Sequence, residues 1–189
     1  FEIVHSTPEA YFEELEERGV VRPRHVGDLN SWAPGCYTSQ VRLKQKHRLL
    51  ENELYAVEKM VSAAAVQGLM AYPKDAIGEA LRDLLMAEFH DILPGSSIQP
   101  VEEAGFRLMG HGLEILSRIK AQAFFALAAG QAKAEENEIP ICAFNPHPFP
   151  VTSVFEVEFN LPNMSLEEQF TMPVVYRDGV RVPCQAEKE

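Results

Sequence analysis

The segment AEFHDILPGSSI, residues 87–98, places a histidine and an aspartate side by side where an apolar helical pattern gives way to a Pro-Gly turn. A neutral imidazole is a common zinc ligand, and a loop after a rigid helix can hold it at a fixed position. A histidine near a helix end also interacts favourably with the helix dipole, and an aspartate favours turns. The pair His90–Asp91 therefore has two interpretations, part of an active site or a plain helix stop.

The other histidines decide whether His90 could belong to a metal site formed by this chain alone. Zinc sites use three or four protein ligands. None of the six histidines belongs to an H-x-x-x-H, H-E-x-x-H or His-x-Asp pattern. The ligand count therefore argues against a complete small metallohydrolase.

Three further side chains are weaker candidates. His111, between two glycines, is more typical of a core or interhelical histidine than of a ligand. Cys36 could be reactive, but a free cysteine is more often a small buried hydrophobe. Trp32, the single tryptophan, lies in irregular chain, where it could be a sugar-stacking platform or a core plug.

The elements that must position these residues are mostly helical. From Thr38 to about Lys133, apolar residues recur at intervals of three, four or seven, with breaks near Pro73 and at Pro94-Gly95. Three amphipathic helices with short connections favour an antiparallel three-helix bundle. The apolar positions are Leu43, Leu50, Leu54, Val57, Val61 and Ala64 in the first helix, Ile77, Leu81, Leu84, Leu85 and Phe89 in the second, and Leu108, Ile115, Leu116, Ile119, Ala123 and Phe124 in the third.

The N-terminal residues 1–37 hold one short helix and a long irregular stretch. Thr7 is the expected N-cap and Pro8 the first helical residue, and the helix should end near Gly19. A short helix followed by irregular chain does not make a domain, so we expect it to be the tail of one that starts upstream.

The C-terminal residues 139–189 are richer in β-branched and aromatic residues. An alternating strand is predicted at 154–161, and a hairpin about Asp178-Gly179. Because two or three strands alone are marginal, we expect further strands after Glu189. The predicted fold is mainly α with a small β part, a three-helix bundle followed by the first strands of a β-sandwich-like domain.

Composition narrows the class of protein. The formal net charge is −11, and no cluster of Lys and Arg is present, which argues against a nucleic-acid partner. Three cysteines without CxxC spacing indicate reduced thiols. No apolar run is long enough to span a bilayer, and the first ten residues do not resemble a signal peptide. We therefore expect a cytoplasmic protein that binds no membrane.

Four stretches, in the right order, resemble the zinc-dependent α-mannosidases of glycoside hydrolase family 38. EFHDILPGSSIQPVEEA resembles that family's central segment, in which a helix ends in a His-Asp pair before a Gly-Ser/Thr turn and an acidic helix start. GCYTSQVRLKQKHRLLENELYAVEKM resembles its first bundle helix. TPEAYFEEL resembles the last helix of the catalytic barrel, and ICAFNPHPFP the beginning of the β-domains.

The resemblance implies a retaining hydrolysis of terminal α-mannosidic bonds, with one aspartate as nucleophile and a second acid that protonates the leaving oxygen. His90 matches a ligand that the bundle supplies to a Zn²⁺ otherwise held by the barrel. Asp91 matches an acid that hydrogen-bonds the hydroxyls of the bound mannose. Trp32 and Tyr37 would lie beside the sugar pocket.

The same resemblance implies a division of the chain and a set of partners. Residues 1–37 would be the barrel tail with a connecting segment, 38–135 the bundle, and 139–189 the beginning of the β-domain. The nucleophile, the acid/base and the other zinc ligands would lie upstream, so we expect no catalytic residue here and no activity from these residues alone.

The expected partners are a mannose-containing glycan or mannoside and the barrel and β-domains of the same polypeptide. Apolar surface once buried against those domains could also lead to a homo-oligomer. The alternative is a non-catalytic helical interaction module with a β tail, because the bundle pattern by itself needs no active site.

Overall fold

The computed structural model describes residues 3–30, 32–160 and 172–187. Within them the chain forms four α-helices, one 3₁₀ helix and one antiparallel pair of strands. These elements are α1 (Pro8–Glu17), the 3₁₀ helix (Pro34–Tyr37), α2 (Val41–Val66), α3 (Lys74–Ala87), α4 (Gln99–Ala128), β1 (Val175–Arg177) and β2 (Val180–Val182). The mainly α fold with a small β part is therefore confirmed. The chain divides between Leu127 and Ala128 into two compact units.

Helices α2, α3 and α4 form the predicted bundle, in which consecutive helices are antiparallel. His47, near the start of α2, contacts Glu88 just beyond the end of α3. Ile92, in the loop after α3, lies against Gly105 near the start of α4. The described helices include none that is both long and apolar enough to cross a membrane.

One continuous core joins the three helices. All six apolar positions predicted for α2 are buried, because their spacing places them on a single face of the helix. Gly112 allows α4 to approach α2 closely, since a Cβ there would lie 3.0 Å from Leu50 Cδ1. The core residues are Leu43, Leu50, Leu54, Val57, Met60, Val61, Ile77, Ala80, Leu84, Ala87, Ile92, Met109, Ile115, Leu116, Ile119 and Ala123.

Helix α3 departs from the predicted apolar face. Ile77 and Leu84 are buried, but Leu81, Leu85 and Phe89 are exposed. Leu81 and Leu85, four residues apart, form a second apolar row of α3 beside the buried one, and Phe89 follows two residues after the helix ends. Periodicity reveals that a helix has apolar rows, but the packing of its neighbours decides which row is covered.

Helix α1 begins and ends as predicted. The Thr7 side chain accepts a hydrogen bond from the Ala10 backbone N–H at 3.2 Å, and Pro8 is the first helical residue. Gly19 follows the helix with a φ of +62°, a left-handed conformation that glycine adopts without a steric penalty. No residue of α1 is buried.

The predicted hairpin is confirmed, and the predicted strand before it is not. Val175 pairs with Val182 across the hairpin, and Asp178 and Gly179 both have the positive φ of a two-residue turn. Residues 154–160 form no strand, and Leu161 lies outside the described residues. Alternation supplies strand propensity, but a strand also needs a partner for its backbone hydrogen bonds.

Candidate functional site

The residues between α3 and α4, 88–98, form a structured turn that we call the His-Asp loop. Glu88 caps α3, with its backbone N–H donating to the carbonyls of the last turn. The loop closes with hydrogen bonds from Ile92 N to Phe89 O at 2.8 Å and from Gly95 N to Ile92 O at 2.9 Å. Gly95 has a φ of +76°, which glycine accepts readily. Helix α3 thus ends at Ala87, two residues before the predicted Phe89, and Pro94-Gly95 lies in the turn that follows rather than at the end of the helix.

His90 and Asp91 present their side chains to solvent from this loop. Their side chains are 78% and 53% exposed, and His90 Nε2 lies 3.5 Å from Asp91 Oδ2. Ser96 donates its hydroxyl to Asp91 Oδ1 at 3.2 Å. The Phe89 ring lies 4.2 Å from the His90 ring, centroid to centroid. One aspartate oxygen is thus oriented by a serine, while the imidazole stays open to a ligand.

The geometry does not support an interaction of His90 with the helix dipole, whereas Asp91 lies in the turn and accepts from Ser96, as the helix-stop interpretation expects of it. The C-cap of α3 is Glu88, so His90 lies two residues beyond the cap and three beyond the last helical residue, Ala87. The dipole acts mainly within the last turn. Ile92 anchors the loop instead, because it is buried in the core against Gly105.

The segment that carries Trp32 and Tyr37 lies beside this loop at one point. Tyr37 ends the 3₁₀ helix with an exposed side chain, and two residues later the Ser39 hydroxyl lies 2.8 Å from Pro94 O. Trp32 is 87% exposed, so it plugs no core within this unit. Its interpretation as a sugar-stacking platform stays a prediction, as does the substrate-binding role of Tyr37.

The side chains of the described residues can supply one ligand to a metal ion, but not a complete site. Across residues 3–30, 32–160 and 172–187, no group of three or more His, Cys, Asp or Glu side chains is arranged to hold a metal ion. A zinc site needs three or four protein ligands. His90 therefore fits a metal site only if the other ligands come from residues outside these ranges.

A second histidine–aspartate pair lies between α3 and α4. His111 Nδ1 is 2.7 Å from Asp83 Oδ2, and His111 Nε2 is 3.7 Å from Glu79 Oε1. The hydrogen bond with Asp83 raises the pKa of His111, and the charges of Asp83, Glu79 and Glu114 add to the rise against a smaller desolvation effect. The interhelical position predicted for His111 is confirmed. The sequence signal for this pair is the spacing of its two acidic partners, Glu79 and Asp83, which are four residues apart and so share a helix face.

Comparison with known proteins places the bundle in a family. The profile of the "Alpha mannosidase middle domain" matches residues 32–127, just over half of the chain. This segment includes α2, α3, the His-Asp loop and almost all of α4.

Individual relatives agree with the family match. The chain is 36% identical over 107 residues to "Alpha-mannosidase G" of Dictyostelium discoideum, covering 51% of this chain and 9% of that protein. It is 32% identical over 136 residues to "Alpha-mannosidase 2C1" of Homo sapiens, covering 69% of this chain and 13% of that protein. It is 38% identical over 84 residues to "Alpha-mannosidase" of Saccharomyces cerevisiae, covering 39% of this chain and 8% of that protein. The chain thus spans between 8% and 13% of the length of these relatives.

Proposed function

The chain belongs to the α-mannosidase family, and from that premise we propose that it is the middle domain of a hydrolase that cleaves terminal α-mannosidic bonds with retention and uses zinc. The observation that carries this proposal is the exposed pair His90–Asp91. It lies within the segment that matches the family, and the packing of the bundle does not use either side chain.

Each residue of the pair has a proposed role. His90 offers an accessible imidazole as one zinc ligand, and Asp91 accepts hydrogen bonds from hydroxyls of the bound mannose. Zinc, when bound, orients the sugar and acts as a Lewis acid. Ser96 donates to Asp91 Oδ1, and Oδ2, which lies 3.5 Å from His90 Nε2 and is open to solvent, is the oxygen proposed to accept from the sugar. Trp32 and Tyr37 are proposed to line the sugar pocket from the neighbouring segment.

The 189 residues alone are proposed to be inactive. A retaining glycosidase needs two carboxylates on either side of the scissile bond, and the family resemblance assigns both to the barrel. The proposed division is 1–37 for the barrel tail and connecting segment, 38–135 for the bundle and 139–189 for the beginning of the β-domain.

The proposed partners are a mannose-containing glycan or mannoside and the barrel and β-domains of the same polypeptide. The exposed apolar row of α3 (Leu81 and Leu85), together with Phe89 just after it, supports contact with those domains or with a second copy. We also propose a cytoplasmic location. The described cysteines, Cys36, Cys142 and Cys184, are all free thiols, which suits a reducing compartment.

The test compares His90→Ala with wild type in the whole protein, with zinc added. Wild type should hydrolyse an α-mannoside and contain zinc, and His90→Ala should lose both activity and bound zinc. His111→Ala is the matched control, since it removes a histidine from the same domain but not from the loop. An inactive wild type, or a His90→Ala variant with normal zinc and activity, would favour a non-catalytic interaction module.

A further inference from the structure

The side chain of Lys44, in the first turn of α2, is directed at backbone carbonyls. Its ammonium donates to Ser39 O at 2.6 Å, to Leu93 O at 3.0 Å and to Pro94 O at 3.1 Å. An ammonium has three N–H donors and no acceptor. The three carbonyls therefore use the whole hydrogen-bonding capacity of Lys44, and two of them belong to the His-Asp loop.

The position of Lys44 is not explained by the stability of α2. A cation in the first turn of a helix is disfavoured, because the positive end of the helix dipole lies there. The stabilisation that offsets this cost must come from the hydrogen bonds of the ammonium, two of which reach the loop. Hydrogen bonds from a charged donor are roughly twice as strong as those between neutral groups.

One turn further along α2, His47 holds the other side of the loop. Its imidazole is buried, and Nε2 lies 3.2 Å from Glu88 Oε1. Residues three apart share a helix face, so Lys44 and His47 act from one face of α2. Glu88 precedes the pair His90–Asp91, and the carbonyls bound by Lys44 follow it.

The contact around Lys44 is also closely packed. The Ser39 hydroxyl lies 2.8 Å from Pro94 O, and a Cβ on Gly95 would lie only 2.5 Å from Ser39 Oγ. Gln40, the residue before α2, has a φ of +47°, which is uncommon for a side chain of this kind. Such backbone strain persists only where the surrounding structure enforces it, and it concentrates at functional sites.

We propose that Lys44 is a positioning residue of the sugar and zinc site: by binding Leu93 O and Pro94 O, it fixes the loop that carries His90 and Asp91. The inference rests on the proposed function, because a fixed loop affects activity only if His90 and Asp91 contact metal and sugar. In this role Lys44 acts through the loop and not by direct contact with metal or sugar.

The experiment uses the whole protein and four variants. Lys44→Met removes the ammonium and keeps most of the apolar stem, and Lys44→Arg restores a charged donor. Lys120→Met is the matched control, because it breaks another lysine contact between helices, the pair of Lys120 Nζ with Glu53 Oε2 at 2.8 Å. His90→Ala reports separately whether the loop is part of the active site.

Three quantities are measured: the amide hydrogen exchange of Ile92 and Gly95, the affinity for zinc, and kcat and KM on an α-mannoside. We expect Lys44→Met to speed the exchange of both amides, because the loop loses its hold on α2. We expect zinc affinity and kcat/KM to fall about 10- to 100-fold, as for other residues that orient metal ligands. Lys44→Arg should recover most of the loss, and Lys120→Met should match wild type in all three.

Two results overturn the inference while the proposed function stands. In both, His90→Ala loses zinc and activity. In the first, Lys44→Met exchanges Ile92 and Gly95 at the wild-type rate. In the second, the loop exchanges faster but zinc affinity and kcat/KM stay at wild-type values. A His90→Ala variant with normal zinc and activity refutes the proposed function and, with it, the role of Lys44.

If Lys44→Met does not fold, Lys44→Gln takes its place. This milder change keeps a polar side chain but has no charge and at most two N–H donors, so it cannot replace the three charged hydrogen bonds of the ammonium. The same changes in exchange, zinc affinity and kcat/KM are expected, at smaller size. Wild-type values of all three in Lys44→Gln would overturn the inference.

Discussion

Among the residues that the structure describes, two histidine–aspartate pairs lie in different surroundings. His111 and Asp83 face each other across α3 and α4 at 2.7 Å, and the Asp83 side chain is only 12% exposed. His90 and Asp91 are adjacent in the His-Asp loop, 3.5 Å apart and largely exposed. The first pair forms a short hydrogen bond between two helices, whereas the second pair is more widely separated and open to solvent.

This difference separates a pair that stabilises the bundle from a pair suited to bind a ligand. A charged hydrogen bond between two helices contributes to stability, and it engages Nδ1 of His111 and Oδ2 of Asp83 within the fold. The side chains of His90 and Asp91 contribute little to packing, so their loop is held by other contacts. Those contacts come from Lys44, His47 and Ile92.

The largest effect is expected from Gly95→Ala, which strains the loop that carries the exposed pair. An alanine held at the left-handed φ lowers the unfolding free energy by about 1–2 kcal/mol. The crowding of its Cβ against Ser39 lowers it by about 1–3 kcal/mol more. Gly68→Ala is the control, because Gly68 also has a positive φ but nothing within 4 Å of its Cβ position. Urea unfolding of both variants measures the difference. Equal losses of unfolding free energy would mean that Ser39 does not confine Gly95.

The second prediction compares the effects of removing each of the two aspartates. In the whole protein, Asp91→Ala should lower kcat/KM about 10- to 100-fold, the equivalent of a charged hydrogen bond of about 1.5–3 kcal/mol. Asp83→Ala should keep kcat/KM and lower the melting temperature, because it removes the buried partner of His111. Steady-state kinetics and thermal unfolding check both. A similar loss of kcat/KM in the two variants would refute the distinction between the pairs.

The third prediction concerns pH and the interhelical pair. The pKa of His111 is raised above 6.5 in the folded chain by its hydrogen bond with Asp83 and by the charges of Asp83, Glu79 and Glu114. Its contribution to stability is therefore fully present below pH 6.5 and is lost as pH rises through the folded pKa. His111→Gln should flatten the dependence of the melting temperature on pH in this window. An unchanged pH dependence would show that His111 is not the group responsible.

The smallest effect is expected when the exposed histidine is removed. His90→Gln should change the unfolding free energy by less than about 0.5 kcal/mol, since an exposed side chain without buried contacts contributes little to stability. The same denaturant titration of His111→Gln near pH 6 gives the contrast. A clear loss of stability in His90→Gln would mean that the loop depends on this imidazole for its folding.

Several parts of the fold were predictable from the sequence because their determinants are local. The apolar positions of α2, from Leu43 to Ala64, follow directly from helical spacing. The cap at Thr7 and the turn at Asp178-Gly179 depend on the conformations of single residues. The exposed row of α3 and the absence of a strand over residues 154–160 were not predictable, because both depend on which neighbours are present.

The sequence by itself determined that a helix ends before His90 and that a turn containing Pro94 and Gly95 follows. These features depend on backbone preferences that act within a few residues. Only the tertiary structure decided what holds that turn. The Lys44 ammonium reaches Leu93 O across a separation of 49 residues, and no local pattern specifies which carbonyl a lysine will bind. Its partners are set by the packing of α2 against the loop, which is a property of the folded bundle.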